Sequence, residues 1–140
     1  MIVYLDASVI LSIIALDANS EKAGRWYKDL SAAVVISDLA SLEVCAVVSR
    51  EFRARRYTPA AADRAIADFE ALRAQSERMS HGQQDFSLSE QLVRDYSLKL
   101  AAADALHLAS AKNAGASIAT FDARLAEAAP AQGVEVAPLG

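Results

Sequence analysis

Cysteine is nearly absent from this 140-residue chain, where Cys45 stands alone. One cysteine excludes an internal disulfide and any zinc site built from several thiolates. It fits a reducing compartment. Glycine and proline are scarce, five and three in number, which leaves little room for long linkers. There is no internal repeat, no low-complexity tail and no glycine-rich phosphate loop of the Walker or dinucleotide kind. An excess of basic residues is also lacking. The net charge of −4 argues against a broad, non-specific nucleic-acid binder, but not against an enzyme that gathers cations in an acidic pocket. The N-terminal run Met1-Ile2-Val3-Tyr4-Leu5-Asp6 lacks the basic segment of a signal peptide. The most apolar stretch, from Ala7 to Leu16, is bracketed by Asp6 and Asp17 and is too short to cross a bilayer. Together these absences lead us to expect a cytoplasmic protein without a membrane segment.

What is present is enough for a core. With 54% hydrophobic and 23% charged residues, a chain of this size buries about 68–70% of its unfolded surface, and one domain spanning 1–140 is expected. Ile2 to Leu5 reads as a strand ending at Asp6. Ser8 reads as the N-cap of a helix with Val9, Ile10, Ile13 and Ile14 on one face. Asn19-Ser20 breaks that helix, and Glu21 to Leu30 forms the next, with Trp26 and Tyr27 available for packing. Ala33 to Ile36 is a continuous apolar run, the mark of a strand buried on both faces. Ser37 and Asp38 offer caps to a helix reaching about Arg56. Thr58-Pro59 starts another, running to about Arg78. His81-Gly82 marks a loop and Asp85 to Ser87 a short strand. Ser89 to Leu98 and Ala102 to Ala114 read as helices, Ser117 to Phe121 as a strand, Ala123 to Ala129 as a helix, and Val134 to Val136 as a last strand. Strands alternating with helices predict a parallel sheet covered on both faces.

Four acids stand where acids ordinarily do not. Asp6 and Asp122 each close a strand, at the end where open α/β sheets bind ligands. Glu43 falls on a helical face otherwise made of Leu39, Leu42, Ala46 and Val47, and Asp104 falls on one with Ala101, Ala105 and Leu108. A carboxylate on a core-facing stripe needs a partner, because desolvating it is expensive. Neither stripe contains Lys or Arg, so a divalent cation is the economical solution. Two like charges ~5 Å apart at an effective dielectric of ~20 repel by about 3 kcal/mol, so such a cluster persists by binding cations or by keeping protons. Oxygen-only ligands suit Mg²⁺ or Mn²⁺ rather than Zn²⁺, and such ions are the usual machinery of phosphoryl transfer.

Four segments in order, Tyr4-Leu5-Asp6-Ala7-Ser8, Ser37 to Glu43, Leu100 to Ala109, and Ala119-Thr120-Phe121-Asp122, resemble the PIN-domain family, most closely its VapC-type toxins. The resemblance covers essentially the whole chain. It implies a three-layer α/β/α fold with a central five-stranded parallel sheet, and a Mg²⁺- or Mn²⁺-dependent endoribonuclease leaving 5′-phosphate and 3′-hydroxyl ends. It also implies a homodimer and an inhibitory VapB-type antitoxin encoded alongside. By position Asp6, Glu43, Asp104 and Asp122 are the acidic quartet, with Ser8 and Thr120 as accompanying hydroxyls. Asp6, Glu43 and Asp104 would hold a first ion, with Asp122 completing or sharing the site.

Each residue also has a plainer reading. Asp6 and Asp122 can be helix caps, Asp104 a helix N-terminal acid favoured by the dipole, and Ser8 and Thr120 caps. His107, one turn after Asp104, reads as a structural histidine before a proton shuttle, His81 as a loop residue, and Cys45 as core. Arg50, Arg53, Arg55 and Arg56 complement a helix C-terminus before they guide an RNA backbone. Apolar residues around Val44 to Val48 fit either core or a dimer interface. Two rival functions remain. One is a haloacid-dehalogenase-like phosphatase, which needs a second aspartate where Ser8 stands. The other is a PIN-like binding module without catalysis, against which the intact quartet argues.

Overall fold

The structure, a computed structural model, describes residues 1–15 and 17–140. Leu16, which ends the apolar stretch noted above, lies outside the described residues. The chain alternates strands and helices: β1 (Ile2–Leu5), α1 (Ala7–Ile14), α2 (Ser20–Asp29), β2 (Ala33–Ser37), α3 (Asp38–Arg53), α4 (Pro59–Ala74), β3 (Glu77–Met79), α5 (Gln83–Arg94), α6 (Ala102–Asn113), β4 (Ser117–Ala119) and α7 (Ala123–Ala131), with a 3₁₀ turn at Tyr96–Leu98. The sheet order is β3-β2-β1-β4, and every pairing is parallel.

The apolar runs of β1 and β2 occupy the middle of the sheet because both of their faces are covered. Val3 and Leu5 of β1, with Val34 and Ile36 of β2, pack on Val9 and Ile10 of α1, Val44 of α3, and Phe69 and Leu72 of α4. The alternate residues Tyr4 and Val35 face Leu92 of α5, Ala105 and Leu108 of α6, and Leu125 of α7. The period of two along each strand thus builds the two helical layers. Trp26 and Tyr27 pack, half-buried, against the first of these clusters.

Several boundaries differ from the sequence reading. The sheet has four strands rather than five among the described residues, and the expected last strand is reduced to a single parallel bridge between Val136 and Ile118. The helix expected to reach Arg78 stops at Ala74, and Glu77–Met79 instead forms an edge strand on β2. Charged residues are a common way of blunting such an edge, and they hide its strand character. No strand forms at Asp85 to Ser87, which lie in the first turns of α5. There the Asp85 carboxylate accepts the Gly82 N–H at 3.0 Å. The helix of Ser89 to Leu98 therefore starts earlier, and it ends at Arg94. Helix α3 ends at Arg53 rather than Arg56, because Arg55 takes the left-handed conformation (φ 61°). The Arg55 N–H then bonds Phe52 O and the Arg56 N–H bonds Glu51 O, a Schellman closure. Thr58 caps α4 as expected, its Oγ1 accepting the Ala61 N–H at 3.1 Å. Among the described residues no helix is long and apolar enough to cross a membrane.

Candidate active site

The carboxyl ends of β1, β2 and β4 lie side by side, and the residues just beyond them form the site. Asp6 follows β1 directly, and its N–H continues the ladder by donating to Ala119 O of β4. It, rather than Ser8, is the N-cap of α1: its Oδ1 accepts the Val9 N–H at 3.1 Å. Ser8 instead donates its hydroxyl to the same oxygen at 2.6 Å and accepts the Phe121 N–H at 3.0 Å. Thr120 donates to Asp6 Oδ2 and accepts the Asp122 N–H at 2.9 Å. Both Asp6 oxygens are therefore engaged, and the carboxylate is 4% exposed. Burial raises its pKa, while the bonds from Ser8, Thr120 and Val9 pull it back. Asp122 caps α7, its Oδ1 accepting the Leu125 N–H at 3.0 Å. The two strand-end aspartates are thus caps, as the plainer reading held, and that role leaves carboxylate lone pairs free.

Asp104 lies half-buried in the first turn of α6. Burial raises its carboxyl above the ordinary range, and Asp122, Glu43 and Asp6 raise it further, with His107 opposing them. Each of the other three acids is therefore felt at Asp104. Among the described residues none of Asp6, Asp104 or Asp122 is ion-paired with Lys or Arg. No three or more Asp, Glu, His or Cys side chains among the described residues form a ready-made metal cage. The donor set of the four acids is oxygen only, which fits a hard cation such as Mg²⁺ or Mn²⁺ and not Zn²⁺.

Glu43 departs from the sequence argument. The core face of α3 is Ala40, Ser41, Val44 and Val48, whereas Leu42 is 68% exposed and Ala46 and Cys45 face outward. Glu43 is half-buried at the border of that face, so the apolar stripe assigned to it and the buried Cys45 were both displaced by about one helical position. The companion stripe of Asp104 holds better, with Ala105 and Leu108 buried and Ala101 exposed.

Glu43 has a protein partner that its own helix does not supply. His107 of α6, 2% exposed, donates through Nε2 to Glu43 Oε1. Its Nδ1 lies 2.6 Å from the Tyr4 hydroxyl, which lies 2.7 Å from Ser37 Oγ. Ser37 Oγ also accepts the Ala40 N–H at 3.0 Å as the N-cap of α3. Burial pushes the Tyr4 phenol up, so it stays protonated. The usable signal in the sequence was His107 one helical turn beyond Asp104; its partner, 64 positions away, was not visible there. His81 is likewise more than a loop residue: its Nε2 accepts the Leu39 N–H at 3.2 Å, and its Nδ1 lies 2.8 Å from Ser110 Oγ. Arg50 and Arg56 meet Glu51, and Arg53 donates to Ser49 O, so these arginines serve the end of α3.

The larger surface grooves lie elsewhere. One of about 710 Å³ runs between α2 and the C-terminal residues beside Trp26, and one of about 580 Å³ between α5 and α6 includes Phe86 and Leu106. The acids line neither of them.

A parallel α/β sheet with acids placed beyond the carboxyl ends of its strands defines the class of protein. The sequence model of the PIN domain family matches residues 3–130, and the chain belongs to that family. PIN domains are typically nucleases. Among solved structures, VapC20 of Mycobacterium tuberculosis, described as a sarcin-ricin-loop-cleaving toxin, superposes with a TM-score of 0.73 at 21% identity, covering 90% of this chain and 94% of that one. FitAcB of Neisseria gonorrhoeae superposes with a TM-score of 0.73 at 19% identity, covering 98% and 97%. DNA-bound VapBC of Salmonella typhimurium gives 0.70 at 18%, covering 100% and 99%. At these identities the likeness is one of fold. No curated protein matches the sequence.

Proposed function

We propose that this PIN domain is a Mg²⁺- or Mn²⁺-dependent endoribonuclease, the toxin of a cytoplasmic toxin–antitoxin pair. The observation that carries the reading is the joining of Asp6 and Asp122 through Thr120 beyond the ends of β1 and β4, with no Lys or Arg pairing Asp6, Asp104 or Asp122 among the described residues. Asp6, Glu43 and Asp104 would hold the ion, and Asp122 would complete or share the site. When bound, the ion supplies an activated water and neutralises charge on the scissile phosphate. The chain's own work is positioning. Ser8 and Thr120 fix the Asp6 carboxylate between two strand ends, and the α7 cap fixes Asp122. Attack of such a water on phosphorus would break the P–O3′ bond, with the water losing one proton and the departing oxygen gaining one, and would give 5′-phosphate and 3′-hydroxyl ends.

The antitoxin partner is supported by the fold's neighbours, among them a toxin–antitoxin complex of Klebsiella pneumoniae, and by charge. An acidic pocket attracts an inserted Arg or Lys that competes with the metal. A homodimer is part of the same reading. The test is to incubate purified protein with cellular RNA and Mg²⁺ and to sequence the new 5′ ends. Discrete, phosphate-bearing ends that vanish with Asp6→Asn are expected. Intact RNA, together with no Mn²⁺-dependent thermal shift, would favour the non-catalytic binding module instead.

A further inference from the structure

Of the four acids, Glu43 has the longest side chain, and the side chain that meets it lies on another helix. Asp6 is held by three hydrogen bonds and Asp122 by its helix cap, whereas the partner of Glu43 among the described residues is His107. A glutamate confined to one rotamer gives up side-chain entropy, so an unsupported Glu43 would have to be ordered by the cation itself.

We propose that His107, anchored by Tyr4 and Ser37, is a positioning residue that presets the Glu43 carboxylate for the divalent cation. This inference rests on the metal-site reading above. The relay runs through fully buried groups: Ser37 and Tyr4 are 0% exposed, and His107 is 2%. Every member belongs to an element that carries part of the site. Tyr4 precedes Asp6 by two residues on β1, Ser37 caps the helix of Glu43, and His107 follows Asp104 by one turn of α6. The relay therefore fixes Glu43 relative to both of the other proposed ligands. His107 engages Oε1, so Oε2 is the oxygen that would serve the cation. Outer groups that orient a metal ligand in this way typically contribute 10–100-fold in metal affinity or activity. A histidine that merely fills the core would contribute to stability alone.

The test is Mn²⁺ titration by calorimetry on the folded full chain, with Mn²⁺ alone as the probe. Asp6→Asn first establishes the acid site, and it should lose binding. His107→Asn keeps an amide near Nδ1 but cannot reach Glu43, and it should weaken Mn²⁺ binding at least tenfold. His107→Gln places its amide near Nε2 and should restore part of the loss. Glu43→Gln combined with His107→Asn should bind no more weakly than Glu43→Gln alone, because the two act as one unit. Tyr4→Phe, which removes one hydroxyl and keeps the ring, should weaken binding in the same direction and serves if the His107 variants fail to fold. Wild-type protein that binds no Mn²⁺, or Asp6→Asn that binds normally, overturns the site reading and this inference with it. Mn²⁺ binding that depends on Asp6 but ignores His107→Asn and Tyr4→Phe, or losses that add in the double variant, overturns the positioning role alone.

Discussion

Thr120 and Asp6 stand 114 positions apart in the chain and meet side chain to side chain beyond the ends of β4 and β1. The contact exists because the two strands are parallel neighbours in register, Leu5 opposite Ala119, so the residues that follow them emerge together. Thr120 also accepts the Asp122 N–H, and one hydroxyl thereby couples the backbone of one acid to the carboxylate of another.

Thr120→Val keeps the shape and removes that hydroxyl. The loss leaves Asp6 Oδ2 and the Asp122 N–H without their partner, which should lower stability by about 1–3 kcal/mol. Urea denaturation of the metal-free protein measures it.

Asp104→Asn should stabilise the metal-free protein at neutral pH. The Asp104 carboxyl is raised above 3.8 by burial first and by Asp122, Glu43 and Asp6 after it. A raised carboxyl binds its proton more readily in the folded state, so its contribution is full below about pH 4 and is lost as pH rises through the folded value. The variant carries no such loss. Thermal melts should show a gain at pH 7 that fades on acidification toward pH 4, and a smaller Mn²⁺-induced shift than wild type.

The sign reverses at His81, where burial lowers the imidazole pKa below 6.5. The folded state prefers the neutral ring, which accepts the Leu39 N–H. The contribution of His81 is therefore full above pH 6.5 and is lost as pH falls through the lowered folded value. Comparing melts of wild type and His81→Gln between pH 7.5 and pH 5 should show the wild type losing its advantage over that interval.

How far the sequence reached depended on whether a signal was local. The continuous apolar runs of β1 and β2 announced central strands, and Asp6 and Asp122 were visible because they follow such runs directly. Glu43 was placed on a mistaken helical face: Leu42 and Ala46 point outward, and the buried stripe of Ala40, Val44 and Val48 is offset from the one inferred. Resemblance to the family supplied what periodicity did not. Glu77–Met79 carried no strand signal, since two charged residues on an edge look like a helix end. Phe86 between Asp85 and Ser87 imitated strand alternation inside the first turns of a helix. The pairing of His107 with Glu43 depends on α3 and α6 meeting across the sheet edge, which no local pattern encodes.

Arg55 offers a separate test of the backbone. It occupies the left-handed position that closes α3, with φ of 61°, a conformation that costs a side-chain-bearing residue about 1–2 kcal/mol. Arg55→Gly should therefore raise stability by about 1 kcal/mol in chemical denaturation, with the helix end unchanged.

The account stands on carboxylates from four separate segments acting together on one cation to cut RNA. Cleavage of an end-labelled RNA by purified protein in Mg²⁺, with Asp104→Asn assayed beside it, addresses that most directly. We expect cleavage that stops on chelation, returns with Mn²⁺, and falls on the order of a thousandfold in the folded variant. Cleavage that persists in excess chelator, or at wild-type rate in Asp104→Asn, would contradict it.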